Sequence, residues 1–251
     1  MISERSFSSS FNSFWHDLLP LLTPHYVSRF NIIHENHLAD ANGDKLPLLP
    51  VGEDVEHADF AAEYAFQLAR LANQADIPLL AISLRQDLLD DAYRIAAGLI
   101  SKYSKKNVQY GLKSSDIQEE ALQLLRRYDI LYAQFPSSPI AFNPALKGSG
   151  FLNSCEGDIS IGTCLIEVKT TVRRPSSRDF RQIITYLALD SNSGSRRWSH
   201  IGLFNPRRGT VHATPVDSWI SRLSGGRTPL DVFSEIISFT QANDVIVDTK
   251  F

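Results

Sequence analysis

The chain has 251 residues, 43% apolar and 21% charged, with a formal net charge of −3. That is enough apolar material for one large soluble domain, or a modest domain with an attachment, while two cysteines, Cys155 and Cys164, exclude a four-thiolate iron–sulfur or zinc site and form no CxxC pair. The apolar runs are short, and the first 22 residues, with Glu4 and Arg5 early, lack the apolar core of a signal peptide, so a cytoplasmic location without a membrane partner is expected.

In chain order, a helix is expected around Phe11 to Leu22, followed by a loop over Leu46 to Gly52. Two amphipathic helices come next. HADFAAEYAFQLARLANQA places Phe60, Tyr64, Leu68 and Leu71 on one face, and LRQDLLDDAYRIAAGLISKY does the same with Leu84, Leu88, Ile95 and Leu99. These stripes read as packing faces, and residues 1–112 as a helical region that contacts a protein partner or substrate. Residues 113–251 would form the core.

The next helix, SSDIQEEALQLLRRY, opens with a capping-box pattern in Ser115 and Gln118 and aligns Ile117, Ala121, Leu124 and Tyr128. Glu119 falls opposite this stripe, whereas Glu120 lies about 60° from Ile117, at its margin, where it can face a site. DILYAQF reads as a strand. The Pro-rich connector PSSPIAFNPALKGSG follows, with Gly148 and Gly150 expected to bend the backbone into the site.

The chemistry concentrates in GDISIGTCLIEVKTT, residues 157–171. As a strand it sends Leu165, Glu167 and Lys169 to one side and Ile166 and Val168 to the other, with Asp158 nine residues before Glu167. Two carboxylates converging from adjacent strands make a hard oxygen site suited to Mg²⁺ or Mn²⁺. An ammonium at Lys169 could orient an attacking water or stabilise a phosphorane-like state.

Downstream, SSRDFRQIITYLAL reads as a helix capped by Ser176 or Ser177, with Phe180, Ile183, Ile184 and Leu187 apolar and a polar stripe of Arg178, Gln182 and Tyr186 beside them. WSHIGLFNP and RGTVHATPV look like strands joined near Asn205 to Gly209, and VDSWISRL and PLDVFSEIISFTQ like closing helices. From Lys169 to Arg227 eleven cations face three acids, a net +8, and the remainder of the chain carries −11. A polyanion partner fits that segment, which makes Arg173, Arg174, Arg178, Arg207 and Arg208 candidate phosphate contacts. Other chemistries lack their patterns. The seven histidines form no HExxH, Ser149 sits in no GxSxG elbow, and no GxxxxGK[ST] motor motif occurs.

Asp158, the strand ending Ile166-Glu167-Val168-Lys169, and the helix with Gln182 and Tyr186 together resemble the PD-(D/E)XK nuclease superfamily, including the QxxxY helix of its RecB-like and lambda-exonuclease-like branches. The resemblance spans Ser114 to Val216, with Gly157 standing where the motif has proline. It implies an α/β, restriction-endonuclease-like core: a short mixed sheet flanked by helices, preceded by the helical N-terminal region. By the same likeness Asp158, Glu167 and the Val168 carbonyl would hold Mg²⁺ or Mn²⁺, and Lys169 would be the catalytic lysine. Gln182 and Tyr186 would bind the nucleic-acid backbone or steady the site, and Glu120 would match the acid that members carry on the helix before the sheet. The implied activity is metal-dependent phosphodiester hydrolysis in DNA, in phage defence or DNA repair, by a monomer or an oligomer. Silent members of the superfamily give the alternative, a nucleic-acid-binding or complex-assembly subunit.

Overall fold

The computed structural model describes residues 1–51, 55–103 and 115–243. Three helices open the chain, α1 (Glu4–Ser9), α2 (Asn12–Leu18) and α3 (Pro24–His34), then strand β1 (Asn36–His37). After them come α4 (Val55–Gln74), a 3₁₀ turn (Leu79–Leu84), α5 (Gln86–Tyr103) and α6 (Ser115–Ala133). The sheet region follows with β2 (Ile140–Phe142), β3 (Ala145–Leu146), β4 (Cys155–Glu156), β5 (Ile159–Ile161) and β6 (Cys164–Val168). The rest is α7 (Ser177–Asn192), β7 (His200–Asn205), β8 (Thr210–Pro215), α8 (Val216–Leu223) and α9 (Pro229–Ala242).

Six strands form one mixed sheet in the order β1-β8-β7-β6-β5-β2, and β3 pairs with β4 apart from it. Within the six-stranded sheet the β6–β7 pair is parallel, and its crossover is α7. Alternation along the strands builds two cores. Leu165, Ile201 and Leu203 pack toward α1–α3 and α7–α9, whereas Ile159, Ile161, Ile166 and Phe204 pack toward α4–α6. The result is a helix–sheet–helix sandwich in which each core draws on residues from before and after the 104–114 segment. The domain boundary expected at 112/113 lies outside the described residues.

Local differences from the sequence reading have physical causes. The expected helix over Phe11 to Leu22 ends at Leu18, and a separate α1 precedes it; Phe11, at φ 52°, makes the break between the two. DILYAQF is not a strand, because Leu131 continues the buried stripe of Ile117, Ala121, Leu124 and Tyr128, so α6 runs on to Ala133. The Pro-rich connector contributes β2 and β3. Gly148 and Gly150 fold that connector away from the site: a Cβ on Gly150, at φ +54°, would meet the Thr240 carbonyl oxygen of α9 at 2.2 Å, and one on Gly148 the Leu152 oxygen at 2.3 Å.

The β7–β8 turn is fastened from inside. Arg207 is fully buried and donates to the carbonyls of Pro50 (3.0 Å) and Ala58 (3.4 Å) and to Glu120 Oε1 (2.5 Å). Arg127 donates from Nη1 to the Pro206 and Arg207 carbonyls, both at 2.8 Å, and from Nη2 to Pro47. Burial, with the neighbouring Arg207 charge, lowers the Arg127 pKa to about 10. Glu120 is therefore the counter-charge of a buried arginine. Glu120→Ala should lower stability in urea unfolding by about 2–3 kcal/mol, discounted for the partial exposure of the acid, equally in Mg²⁺ and in EDTA. An unfolding midpoint equal to wild type would refute that supporting role.

Candidate active site

The β5–β6 hairpin sets the centre. Ile159 pairs with Ile166 in the antiparallel register, so Asp158, one residue before β5, comes beside Glu167. The Asp158 carboxylate takes over where the ladder stops: its Oδ2 accepts the Val168 N–H at 2.6 Å, while the Lys169 N–H donates to the Phe204 carbonyl of β7 at 2.8 Å. Glu167 and Lys169 face the α7 layer as alternation requires, and Lys169 Nζ donates to Glu167 Oε1 at 2.6 Å. Glu167 is 2% exposed, and its second oxygen, Oε2, is buried without a hydrogen-bond partner.

Helix α7 supplies the next shell. Its start is fixed by a capping box in which Asp179 Oδ2 accepts from the Ser176 N–H (2.7 Å) and hydroxyl (2.9 Å). One turn further, Gln182 Oε1 accepts from Lys169 Nζ at 3.0 Å, and Gln182 Nε2 donates to the Tyr186 hydroxyl at 2.8 Å. The i, i+4 spacing of Gln182 and Tyr186 thus becomes one polar arm on Lys169. At its far end stands Glu4 of α1, whose Oε1 accepts from Gln182 Nε2 (3.3 Å) and the Tyr186 hydroxyl (3.4 Å).

Burial raises the pKa of both Asp158 and Glu167; the Asp158 charge adds to the rise at Glu167, and Lys169 opposes it at both. The buried Glu167, with one oxygen unsatisfied, and the half-buried Asp158 beside it form a site whose negative charge a bound divalent ion would offset. Among the described residues no three His, Cys, Asp or Glu side chains converge, and the oxygen donors that could hold a divalent ion here would be Asp158, Glu167 and the Val168 carbonyl. That all-oxygen set fits Mg²⁺ or Mn²⁺, which keep several waters, and does not fit zinc.

A groove of about 830 Å³ opens beside the pair, with Asp158, Val168 and Thr170 on its floor. Helix α4 lines it with Asp59, Glu63 and Phe66, and α1 with Glu4 and Arg5. The Tyr128 hydroxyl of α6 reaches the same groove, buried and without a hydrogen-bond partner.

Of the residues expected from sequence, the fold brings Asp158, Glu167, Val168, Lys169, Gln182 and Tyr186 together. Glu120 is held by Arg207 and does not line the groove. The arginines are also engaged elsewhere. Arg173 forms a bidentate pair with Asp179 (2.6 and 3.0 Å), Arg174 and Arg208 share Glu35 (2.9 and 3.1 Å), and Arg207 is inside the protein. Arg178 is exposed on α7, away from the groove lining. Sequence reading missed Glu4, Arg5 and Glu63. For Glu63 a signal existed: it follows Phe60 by three residues, the same margin spacing that singled out Glu120 after Ile117.

Raised acids have a definite consequence for stability. The folded protein holds protons on the Asp158–Glu167 pair more tightly than the unfolded chain does, so its stability falls as pH rises from the ordinary carboxylate range through the elevated folded values. Asp158→Asn should therefore melt higher than wild type in EDTA, by a margin that widens from pH 5 to pH 8, and Mg²⁺ should narrow the gap. Equal melting temperatures across that range would contradict the assignment.

No family model matches the chain, and no curated protein matches it in sequence.

Proposed function

We propose that the protein is a metal-dependent nuclease with a restriction-endonuclease-like core, hydrolysing phosphodiester bonds in DNA. The observation that carries this reading is the meeting of Asp158, Glu167 and Lys169 at the end of one hairpin, with Glu167 Oε2 buried and unpartnered. Asp158, Glu167 and the Val168 carbonyl hold Mg²⁺ or Mn²⁺, which when bound supplies a Lewis acid for the phosphate and a more acidic water. Lys169, suspended between Glu167 Oε1 and Gln182 Oε1, would supply positive charge close to the carboxylate pair as negative charge develops during attack. Gln182 and Tyr186 keep that ammonium in place. The preference for DNA, and a role in phage defence or DNA repair, rest on the PD-(D/E)XK resemblance.

The test is cleavage of circular and linear, single- and double-stranded DNA, with an RNA control, in Mg²⁺, Mn²⁺ and EDTA. Products should require metal and vanish in Glu167→Ala. Lys169→Ala should lower the rate by about 10²- to 10³-fold with little change in melting temperature. Undiminished cleavage in EDTA would rule out the metal role. DNA binding that is the same with chelator, with no cleavage in any condition, would point to a binding or assembly subunit.

A further inference from the structure

Among its described residues, the groove beside the carboxylates is short of positive charge. Asp179 pairs with Arg173 and Glu35 with Arg174 and Arg208, while Arg207 is buried in the β7–β8 turn. Glu4, Asp59, Glu63 and Asp158 line the groove, against a single cation, Arg5, among its described lining residues. Lys169 stands behind it, its side chain 14% exposed and occupied by Glu167 and Gln182. A phosphodiester entering this space brings oxygens that one divalent ion cannot all satisfy, and side-chain donors for the others are scarce.

Arg5 is delivered there by an anchored backbone. On one side the Ile2 N–H donates to the Phe151 carbonyl (2.8 Å), and the Ile2 carbonyl accepts from the Asn153 N–H (2.9 Å). On the other, Phe7 is fully buried, with its ring 5.0 Å from Trp15 and 5.8 Å from Phe151. Between them Glu4 is tied to Gln182 and Tyr186, the arm that holds Lys169. Arg5 itself is exposed and forms no ion pair among the described residues, while its charge acts on both Asp158 and Glu167. A fixed backbone under a free guanidinium is preorganised for a ligand, because little of the chain must be ordered on binding.

We propose that Arg5 binds the scissile phosphate, and that α1 is a permanent wall of the active site which presents it. The proposal rests on the nuclease reading of the Asp158–Glu167–Lys169 centre. The guanidinium offers paired N–H donors that match two phosphate oxygens, a geometry lysine cannot reproduce. With one arginine in the groove, substrate affinity depends heavily on a single side chain.

The experiment compares wild type, Arg5→Ala, Arg5→Lys and a charge control, Arg94→Ala, whose guanidinium is exposed on α5 and paired with Asp91. Binding of a fluorescent single-stranded oligonucleotide is followed by anisotropy in Ca²⁺ over a KCl series, with cleavage in Mg²⁺ and melting temperature measured alongside. Arg5→Ala is expected to bind at least tenfold more weakly, to lose about 1 from the slope of log K against log salt, and to melt as wild type does. Arg5→Lys should recover part of the binding, and Arg94→Ala should match wild type. Wild-type binding and cleavage by Arg5→Ala would overturn the proposal and leave the nuclease reading standing. So would a fall in melting temperature in both Arg5 variants that accounts for the loss. Arg5-dependent binding without cleavage by wild type would keep Arg5 as a phosphate ligand and overturn the nuclease reading; neither binding nor cleavage by wild type would overturn both.

Discussion

Everything at the candidate site depends on the register of the β5–β6 hairpin. Ile159 and Ile161 on one strand and Cys164 and Ile166 on the other go to the α4–α6 core, which leaves Glu167 no choice but the opposite face. A slip by one residue would put Glu167 among Phe204, Tyr128 and Leu124 and send Ile166 to the α7 face in its stead. Apolar burial along the hairpin thus holds two mutually repelling carboxylates side by side. The centre is a local loss that the surrounding core offsets, as strained functional sites commonly are.

The same division of labour runs through the charged residues. Acids and arginines that look interchangeable in a count do different work according to depth. Arg127 and Arg207 tie the β7–β8 turn to the 47–58 segment through backbone carbonyls, and Glu120 balances that buried charge. Glu35 gathers Arg174 and Arg208, linking the chain before β1 to the segments flanking α7 and β8. A net +8 over one stretch of sequence therefore becomes mostly internal ties. The positive charge left for a ligand comes from a stretch where the count pointed nowhere.

Legibility followed distance along the chain. Glu167, Lys169 and Val168 are set by strand alternation, and Gln182 with Tyr186 by the helical repeat, so spacing alone placed them. The α/β core of a mixed sheet flanked by helices came from the resemblance, and the six-stranded mixed sheet agrees with it at that coarse level. Glu4 and Arg5 act on residues from Asp158 to Tyr186, 153 to 182 positions away, and no local period encodes such a meeting. DILYAQF misled because a short apolar run suits a strand or a buried helix equally, and the stripe from Ile117 through Leu131 decided for the helix. Arg207, at the junction of two strands, read as a phosphate contact, but the carbonyls of Pro50 and Ala58 draw it inward.

The tie between Glu4 and Gln182 spans 178 residues, and Ile2 pairs with Leu152 in a bridge of similar reach. During synthesis Glu4 lacks its hydrogen-bond partners Gln182 and Tyr186 until α7 has emerged, and Phe7, Trp15 and Phe30 wait for the α7–α9 surfaces that complete their core. The site consequently closes late. The α4–α5 pair forms between neighbouring segments, whereas the candidate site draws on residues from α1 to α7 and has the longer loop to close.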